Sequence, residues 1–258
     1  MYMKKVLGIL GLLVSASLFA GDIKVGASPV PHAELLNLVK DDLKVQGVNL
    51  IVIEMTDYVT PNLAVDSKEI DANFFQHKPY MDTFIEEKGL KLVSIGNVHV
   101  EPLGVYSKKI KSLDELKKGA SIAIPSDPTN GGRALILLHN NGIIKLKDPT
   151  NLLATEFDII DNPKKIKFNA IESAGIPRVL DDVDAAVING NYALEAGLNP
   201  NKNAIILEGK ESPYANLVTV KEGRENEEDL QKLIKALQSE KVKTYILEKY
   251  DGAVVPAF

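Results

Sequence analysis

The chain of 258 residues is 45% apolar and 25% charged, as is usual for a globular protein. Its formal net charge of −5 argues against a nucleic acid or an anionic lipid surface as a partner. The chain has no cysteine, which excludes disulfides, thiolate metal sites and thiol nucleophiles. Its length fits either one large domain or two lobes of about 100 residues each.

Residues 1–20 differ from the rest of the chain. Two lysines precede an apolar run that closes on Ala20, which is the pattern of a secretory signal peptide. The run is shorter than the roughly 20 apolar residues that a membrane span needs. Gly21 follows at the point where a bacterial lipoprotein would carry its lipidated cysteine. We therefore expect export to the periplasm and free diffusion there, with membrane association only if the leader is retained.

From Asp22 onward, short apolar runs alternate with segments of helical periodicity, which is typical of an α/β protein. The first helical segment places an apolar face toward the core and stops at Gly47. This face consists of Leu35, Leu36, Val39 and Leu43. The predicted strands are Ile23–Ala27, Leu50–Met55, Leu92–Ile95, Leu103–Tyr106, Ser121–Ile124, Ile166–Asn169, Ala185–Ile188, Ala204–Leu207 and Leu217–Val220.

Two further helices have clear sequence signals. Ser112 and Glu115 have the spacing of a capping box, which predicts a short helix there. Asn226–Tyr250 has one continuous apolar stripe and predicts a long C-terminal helix that packs on the core. Since no low-complexity linker is visible, we expect a split arrangement in which the chain crosses to a second lobe and returns. The predicted division is 21–107 with 211–258 for lobe I and 108–210 for lobe II.

A helix is predicted to begin within "SDPTNGGRALILLHNNG", residues 126–142. Asp127 before Pro128 fits the N-cap of this helix, and Thr129 or Asn130 would fit one turn later. The sequence leaves these alternatives open.

The start of this helix also contains a candidate anion site. Gly131 and Gly132 remove side chains from the first turn, so that a ligand can approach the backbone N–H groups. Arg133 then offers a planar fork of donors that suits a carboxylate. The alternative is an ordinary surface ion pair with a nearby acidic side chain. Two glycines are costly in a helix, and this cost favours the anion site.

An aromatic cluster occurs in "NFFQHKPYMD", residues 73–82, with Tyr58 a short way upstream. Phe75, His77 and Tyr80 belong to it. Aromatic clusters are usually core, but the lysine and proline here suit a strand-to-helix corner where alternate side chains face a cleft. Both interpretations stay open on the residues alone.

Asn189 and Asn216 each lie at the edge of a predicted strand. Their amides can offer a donor and an acceptor to a polar headgroup, although a turn-capping role explains each equally well. The sequence contains no nucleophile elbow, P-loop, dinucleotide-binding glycine motif or zinc-protease motif. The histidines share no spacing typical of a metal site. We therefore predict no catalysis, no cofactor and no metal.

Several stretches together resemble the methionine-binding substrate proteins of bacterial ABC importers, the NlpA/MetQ family. They run in order through nearly the whole mature chain: "GASPVPHAELL", "TDYVTPN", "EIDANFFQHKPYMD", "EPLGVYSKKIKSLDELKKGASIAIPSDPTNGGRALILL", "AAVINGNYA" and "SPYANLVTV". The resemblance implies a two-lobed periplasmic binding protein fold, in which two α/β lobes joined by two crossing segments close on an amino acid.

The resemblance also implies a ligand and roles for the candidate residues. The methionine carboxylate would pair with Arg133, while Asn189 and Asn216 would hold the polar headgroup. The thioether would be enclosed by Tyr58, Phe75, His77 and Tyr80. The wording after Asn189 departs from the commoner family pattern, so Asn191 is expected to add a polar contact. No carboxylate for the ligand ammonium is evident in the sequence.

The implied function is delivery of L- or D-methionine, or a close analogue, to a membrane permease and its ATPase by a monomeric binding protein. The same fold could carry a methionine-containing dipeptide or another apolar amino acid. A secreted enzyme or a surface adhesin is a further alternative of a different class.

Overall fold

The computed structural model describes residues 21–209 and 212–258, so the predicted signal peptide lies outside the described residues. Within these two ranges, no helix combines the length and the apolarity that crossing a bilayer requires. The predicted α/β class is confirmed, because strands and helices alternate along most of the described chain.

The described residues form thirteen strands and eight α-helices. The strands are β1 (Gly21–Ala27), β2 (Val48–Glu54), β3 (Ala72–His77), β4 (Leu92–Val100), β5 (Gly104–Tyr106), β6 (Ser121–Pro125), β7 (Lys145–Leu146), β8 (Ile159–Asp161), β9 (Lys167–Ile171), β10 (Ala185–Ile188), β11 (Ile206–Leu207), β12 (Ala215–Lys221) and β13 (Val255–Pro256). The helices are α1 (Glu34–Val45), α2 (Thr60–Asp66), α3 (Lys78–Lys88), α4 (Pro128–Asn140), α5 (Gly190–Glu195), α6 (Pro200–Asn203), α7 (Glu228–Leu237) and α8 (Glu240–Tyr250).

The first sheet combines both ends of the chain in the order β13-β4-β12-β3-β1-β2. Its three N-terminal strands are parallel, and β12 runs antiparallel between β3 and β4. Helices α1, α7 and α8 cover this sheet with one apolar cluster. The predicted apolar face of α1 is buried there, and Gly47 ends the helix with a left-handed φ of 78°.

The second sheet has the order β11-β5-β10-β6-β9. Strands β6, β9 and β10 are parallel, β5 pairs antiparallel with β10, and β11 pairs antiparallel with β5 at the edge. Helix α4 packs its apolar residues against this sheet. The predicted boundary at residue 108 falls too late for this pairing, because β5 already belongs to the second sheet. The division into two lobes with the stated limits otherwise stays a prediction.

Two segments connect the sheets. Residues 101–103 lead from β4 to β5, and residues 208–214, of which 210 and 211 are not described, lead from β11 back to β12. We call these the first and second crossover. They lie side by side, since the Glu208 backbone N–H donates to the Leu103 carbonyl over 2.8 Å.

The structure contains the short strands β7, β8 and β13, which were not predicted. Three further differences have a clear physical reason. The long C-terminal helix is two helices, because α7 ends at Leu237 and Ser239 caps α8 by accepting a hydrogen bond from Val242 N. Strand β3 was not predicted as a strand. All six of its residues are buried, so it lacks the alternation that marks a half-exposed strand. Ser112 does cap a short 3₁₀ helix, but Glu115 bonds to Lys111 N instead of completing the box.

A candidate ligand cavity between the two sheets

A cavity lies between the sheets and encloses about 330 Å³ of space free of protein atoms, part of which is open to solvent. The structure brings all of the predicted site residues to its wall: Tyr58, Phe75, His77, Tyr80, Arg133, Asn189 and Asn216. The wall also contains Gln76, Glu101, Asn130, Gly190 and Asn191. Of these, the sequence analysis had named only Asn191 as a ligand contact. The binding roles of the predicted residues remain predictions.

Helix α4 brings Arg133 to the cavity. Asp127 is the N-cap, and its carboxylate accepts hydrogen bonds from the backbone and side-chain N–H groups of Asn130 over 2.9 and 3.0 Å. The structure therefore shows that α4 begins after Asp127, and that Thr129 and Asn130 are not its N-cap. Arg133 follows in the second turn and is 4% exposed.

The two glycines before Arg133 serve packing and do not line the cavity. A Cβ on Gly132 would lie 2.3 Å from the carbonyl oxygen of Leu152, and one on Gly131 would lie 2.9 Å from that of Pro125. The first turn of α4 is already capped by Asp127. The expectation that the glycines open the helix start to a ligand is therefore wrong, because backbone from neighbouring segments fills that space.

Arg133 has protein partners on both crossovers. Its Nε donates to Glu208 Oε1 over 3.0 Å and its Nη2 to the Glu101 carbonyl oxygen over 2.9 Å. Nη2 also makes a short contact to Glu208 Oε2. The guanidinium carbon lies 4.1 Å from the centre of the Tyr214 ring. The arginine thus has an acidic partner, as one alternative held, but the pair is buried beside the cavity instead of exposed.

A chain of amides joins the two sides of the cavity. His77, at the end of β3, places Nε2 3.1 Å from Asn130 Oδ1 on α4. Asn189 Nδ2 donates to the same oxygen over 2.8 Å. Asn189 Oδ1 is buried and has no hydrogen-bond partner among the described residues. Since buried acceptors are normally satisfied, this atom is a candidate for a ligand donor.

The aromatic end of the cavity is formed by Tyr58, Phe75 and Tyr80. Their ring centroids lie 5.7 to 6.0 Å apart in tilted and edge-on arrangements. Tyr80 OH donates to the Tyr58 carbonyl over 2.9 Å. The two interpretations of this cluster therefore both hold, because the rings pack on one another and also line the cavity.

Asn191 closes the cavity from the opposite side. Tyr58 OH donates to Asn191 Oδ1 over 2.5 Å. The Asn191 Nδ2 group is buried with no hydrogen-bond partner among the described residues. The cavity wall thus contains one donor, Asn191 Nδ2, and one acceptor, Asn189 Oδ1, that have no protein partner among the described residues.

Glu101 is the carboxylate that the sequence did not single out. Its Oε1 lies 2.7 Å from His99 Nε2 and 3.3 Å from His32 Nε2, and His32 Nε2 also lies 3.1 Å from Asn216 Oδ1. A Cβ on Gly190 would lie 2.7 Å from Glu101 Cβ. The glycine in "INGN" therefore allows the close approach of Glu101.

The histidines of this cluster were not expected to meet. Ligand atoms of His32, His99 and Glu101 lie within 4.8 Å of one another, a grouping able to hold a metal ion. The short His99–Glu101 contact is a hydrogen bond that a shared metal would have to replace. The geometry of the three groups is thus accounted for by a hydrogen-bonded network.

Burial leaves the nearby histidines uncharged at neutral pH. Burial lowers the pKa of His32 to about 4 and that of His99 to about 3. Burial together with the Arg133 charge lowers the pKa of His77 to about 3. Burial raises the pKa of Glu101 above its usual value, although Arg133 opposes this shift. Among the described residues of the cavity wall, Arg133 is therefore the one cation and Glu101 is the one residue with a carboxyl group.

Comparison with known proteins identifies the family. The model of the NlpA lipoprotein family matches residues 23–258. The chain belongs to the NlpA lipoprotein family. A D-methionine-binding lipoprotein MetQ of Escherichia coli is 46% identical over 211 residues, which cover 81% of this chain and 78% of that protein.

Two solved structures of this kind have the same fold. A nutrient binding protein from Burkholderia cenocepacia bound to methionine has 49% identity and a TM-score of 0.89, covering 92% of this chain and 100% of that one. An ABC transporter periplasmic substrate-binding protein from Coxiella burnetii has 44% identity and a TM-score of 0.87, covering 91% of this chain and 100% of that one. The predicted two-lobed periplasmic binding protein fold is confirmed.

The predicted localisation is wrong. The prediction of a freely diffusing periplasmic protein depended on Gly21 at the position of a lipidated cysteine. The matched family and the curated relatives are lipoproteins, and such proteins are attached to a membrane by their lipid. Gly21 is the first residue of β1, and the leader before it lies outside the described part of the chain.

Proposed function

We propose that this NlpA-family protein binds free methionine, or a close analogue, in the cavity between its sheets and presents it to the permease of an ABC importer. The observation that carries the proposal is a cavity wall with one cation, one carboxylate and an aromatic end. This combination suits an amino acid zwitterion with an apolar side chain. The matched proteins named for methionine binding support the same ligand.

The polar end of the cavity suits the headgroup of an amino acid. Arg133 would receive the ligand carboxylate, and Asn191 Nδ2 would supply a further donor. Glu101 and the unpartnered Asn189 Oδ1 would receive the ammonium. Glu101 thereby fills the role for which the sequence offered no carboxylate.

The aromatic end suits a thioether. Contacts between sulfur and an aromatic ring contribute about 0.3–1.5 kcal/mol each, and burial of the side chain contributes about 1.5–3 kcal/mol. Binding at micromolar to nanomolar concentrations requires about −8 to −12 kcal/mol. The larger part of the binding free energy must therefore come from the charged headgroup. The cavity thus selects for a free amino acid more strongly than for one particular side chain.

We assign a free amino acid, because Arg133 and Glu101 line the same cavity and can receive its carboxylate and its ammonium together. A methionine-containing dipeptide is one alternative cargo. Another apolar amino acid of similar size is the remaining alternative cargo. Mass spectrometry of the small molecule that co-purifies with the protein would discriminate between these ligands. A dipeptide found there would overturn the assignment of a free amino acid.

The proposal includes no catalytic step. This follows the matched proteins, which are named for binding and transporting a substrate. The chain would act as a monomer together with a permease and its ATPase.

The proposal is tested by calorimetric titration of ligand-stripped protein with L- and D-methionine. We expect binding by the wild type and none by Arg133→Ala, because the ligand carboxylate loses its cation. Arg178→Ala is the matched control, since Arg178 is exposed and outside the cavity wall. Circular dichroism checks that each variant is folded. Absence of heat with either enantiomer in the wild type, or unchanged affinity in Arg133→Ala, would contradict the proposal.

A further inference from the structure

The partners of Arg133 divide its N–H groups into two sets. The Nε and Nη2 groups bond to Glu208 and to the Glu101 carbonyl. Nη1 makes no hydrogen bond to any described residue. Arg133 lines the cavity and Glu208 does not, so the Glu208 carboxylate binds the guanidinium from outside the cavity wall. Nη1 is then the group left for a ligand.

Glu208 is itself held in place. Its Oε2 accepts a hydrogen bond from Leu103 N over 3.3 Å, and its backbone N–H donates to the Leu103 carbonyl over 2.8 Å. The Glu208 side chain is 16% exposed, so the ion pair is largely shielded from water. The carboxylate is therefore fixed between the two crossovers, and the guanidinium is fixed to it.

We propose that Glu208 is a positioning residue for ligand binding. It holds the edge of Arg133 formed by Nε and Nη2, so that Nη1 faces the cavity, and it keeps this bond when the ligand carboxylate arrives. This inference rests on the proposed function. The physical gain is preorganisation, because a long side chain fixed before binding loses less freedom when the ligand binds.

The opposite role for Glu208 is a surrogate ligand that the incoming carboxylate displaces. Two observations favour positioning. Glu208 lies outside the cavity wall, and its second bond to Leu103 N would also have to break on displacement. The two roles predict opposite effects on the Arg133 Nε–H group when methionine binds.

Nuclear magnetic resonance of the wild-type protein distinguishes them. The chain has only three arginines, Arg133, Arg178 and Arg224. Their Nε–H signals can be assigned by single replacements with lysine. We expect the Arg133 Nε–H to exchange slowly with water without methionine and to remain slow at saturating methionine. Faster exchange in the loaded protein would show displacement of Glu208 and would overturn the proposal.

Binding by a variant gives the second test. Glu208→Gln keeps the shape of the side chain but removes its charge and one of its two acceptors. We expect its Kd for methionine to rise at least about fivefold and the Arg133 Nε–H to exchange faster in the ligand-free protein. Asp181→Asn is the matched control, since it removes the carboxylate of the exposed Lys108–Asp181 pair. Its Kd should stay within about twofold of the wild type.

The outcomes separate the two proposals. A lower or unchanged Kd in Glu208→Gln, with methionine binding intact in the wild type, would overturn the role of Glu208 alone. Absence of methionine binding by the wild type would overturn the proposed function. In that case a slow Nε–H signal that depends on Glu208 would still establish the ion pair. If Glu208→Gln did not fold, the measurement on the wild type would decide.

Discussion

At the scale of single residues, the sequence identified the cation of the site but not its carboxylate. Arg133 stands out because it follows two glycines at a helix start. Glu101 follows a strand and precedes a proline, which is an ordinary position for a loop acid. Only the fold shows that Glu101 is 5% exposed, touches two histidines and faces the cavity. The one available signal was Gly190, and its meaning depends on a contact 89 positions away in the chain.

Glu101→Gln tests the ammonium site. The amide oxygen can still accept a hydrogen bond from His99, but the neutral side chain no longer attracts a cation. We expect the Kd for methionine to rise at least about tenfold, as measured by calorimetry. N-acetylmethionine, which lacks the ammonium, should lose no more than about twofold on the same substitution.

Glu54→Gln is the control for Glu101→Gln, because Glu54 is an exposed carboxylate at the end of β2, away from the cavity wall. An equal loss in the two variants, or an equal loss for both ligands, would mean that Glu101 does not meet the ammonium.

At the scale of elements, helix α4 shows how a sequence argument can lead to a residue of the cavity wall for a wrong reason. The glycines were interpreted as space for a ligand, and this interpretation raised the weight given to Arg133. In the structure they admit the backbone of Leu152 and Pro125. A close contact with a segment later in the chain leaves no local pattern, so the sequence alone cannot separate these two uses of glycine.

Gly132→Ala tests the packing role of this glycine. Its Cβ would lie 2.3 Å from the Leu152 carbonyl oxygen, so the substitution should lower the free energy of unfolding by about 1–3 kcal/mol. Urea unfolding measures the change. Gly175→Ala is the control, since its Cβ would meet Ile171 at an ordinary 3.4 Å, and a change within about 0.5 kcal/mol is expected. A variant that keeps its stability but loses methionine binding would restore the ligand-access interpretation.

At the scale of the whole molecule, direct contacts span the gap between the two sheets. Tyr192 on α5 donates to the Thr56 carbonyl over 3.0 Å, and its ring lies 4.9 Å from that of Tyr58. Tyr192 does not line the cavity. It therefore joins the two halves without touching the ligand, and it would slow the release of the ligand by stabilising the closed form.

Tyr192→Phe tests this contact, because the ring is retained and one hydrogen bond is lost. A net loss of about 1 kcal/mol should raise the rate of methionine dissociation roughly fivefold and leave the association rate nearly unchanged. Stopped-flow fluorescence or competition measures both rates. Tyr245→Phe on α8 removes a hydroxyl bonded to Lys249 and should change neither rate. An effect on the association rate alone would argue against a role in holding the cleft closed.

The sequence by itself determined the α/β class, most strands of the two sheets, the N-terminal helix and seven residues that meet at one cavity. These features follow from local periodicity, caps and motifs, and from the family resemblance that the motifs carry. The tertiary structure alone decided the partners of Arg133, the place of Glu101, the fully buried strand β3 and the break between α7 and α8. The reason is physical: burial, close backbone approach and ion pairing between crossovers depend on residues distant in the chain, which no local pattern records.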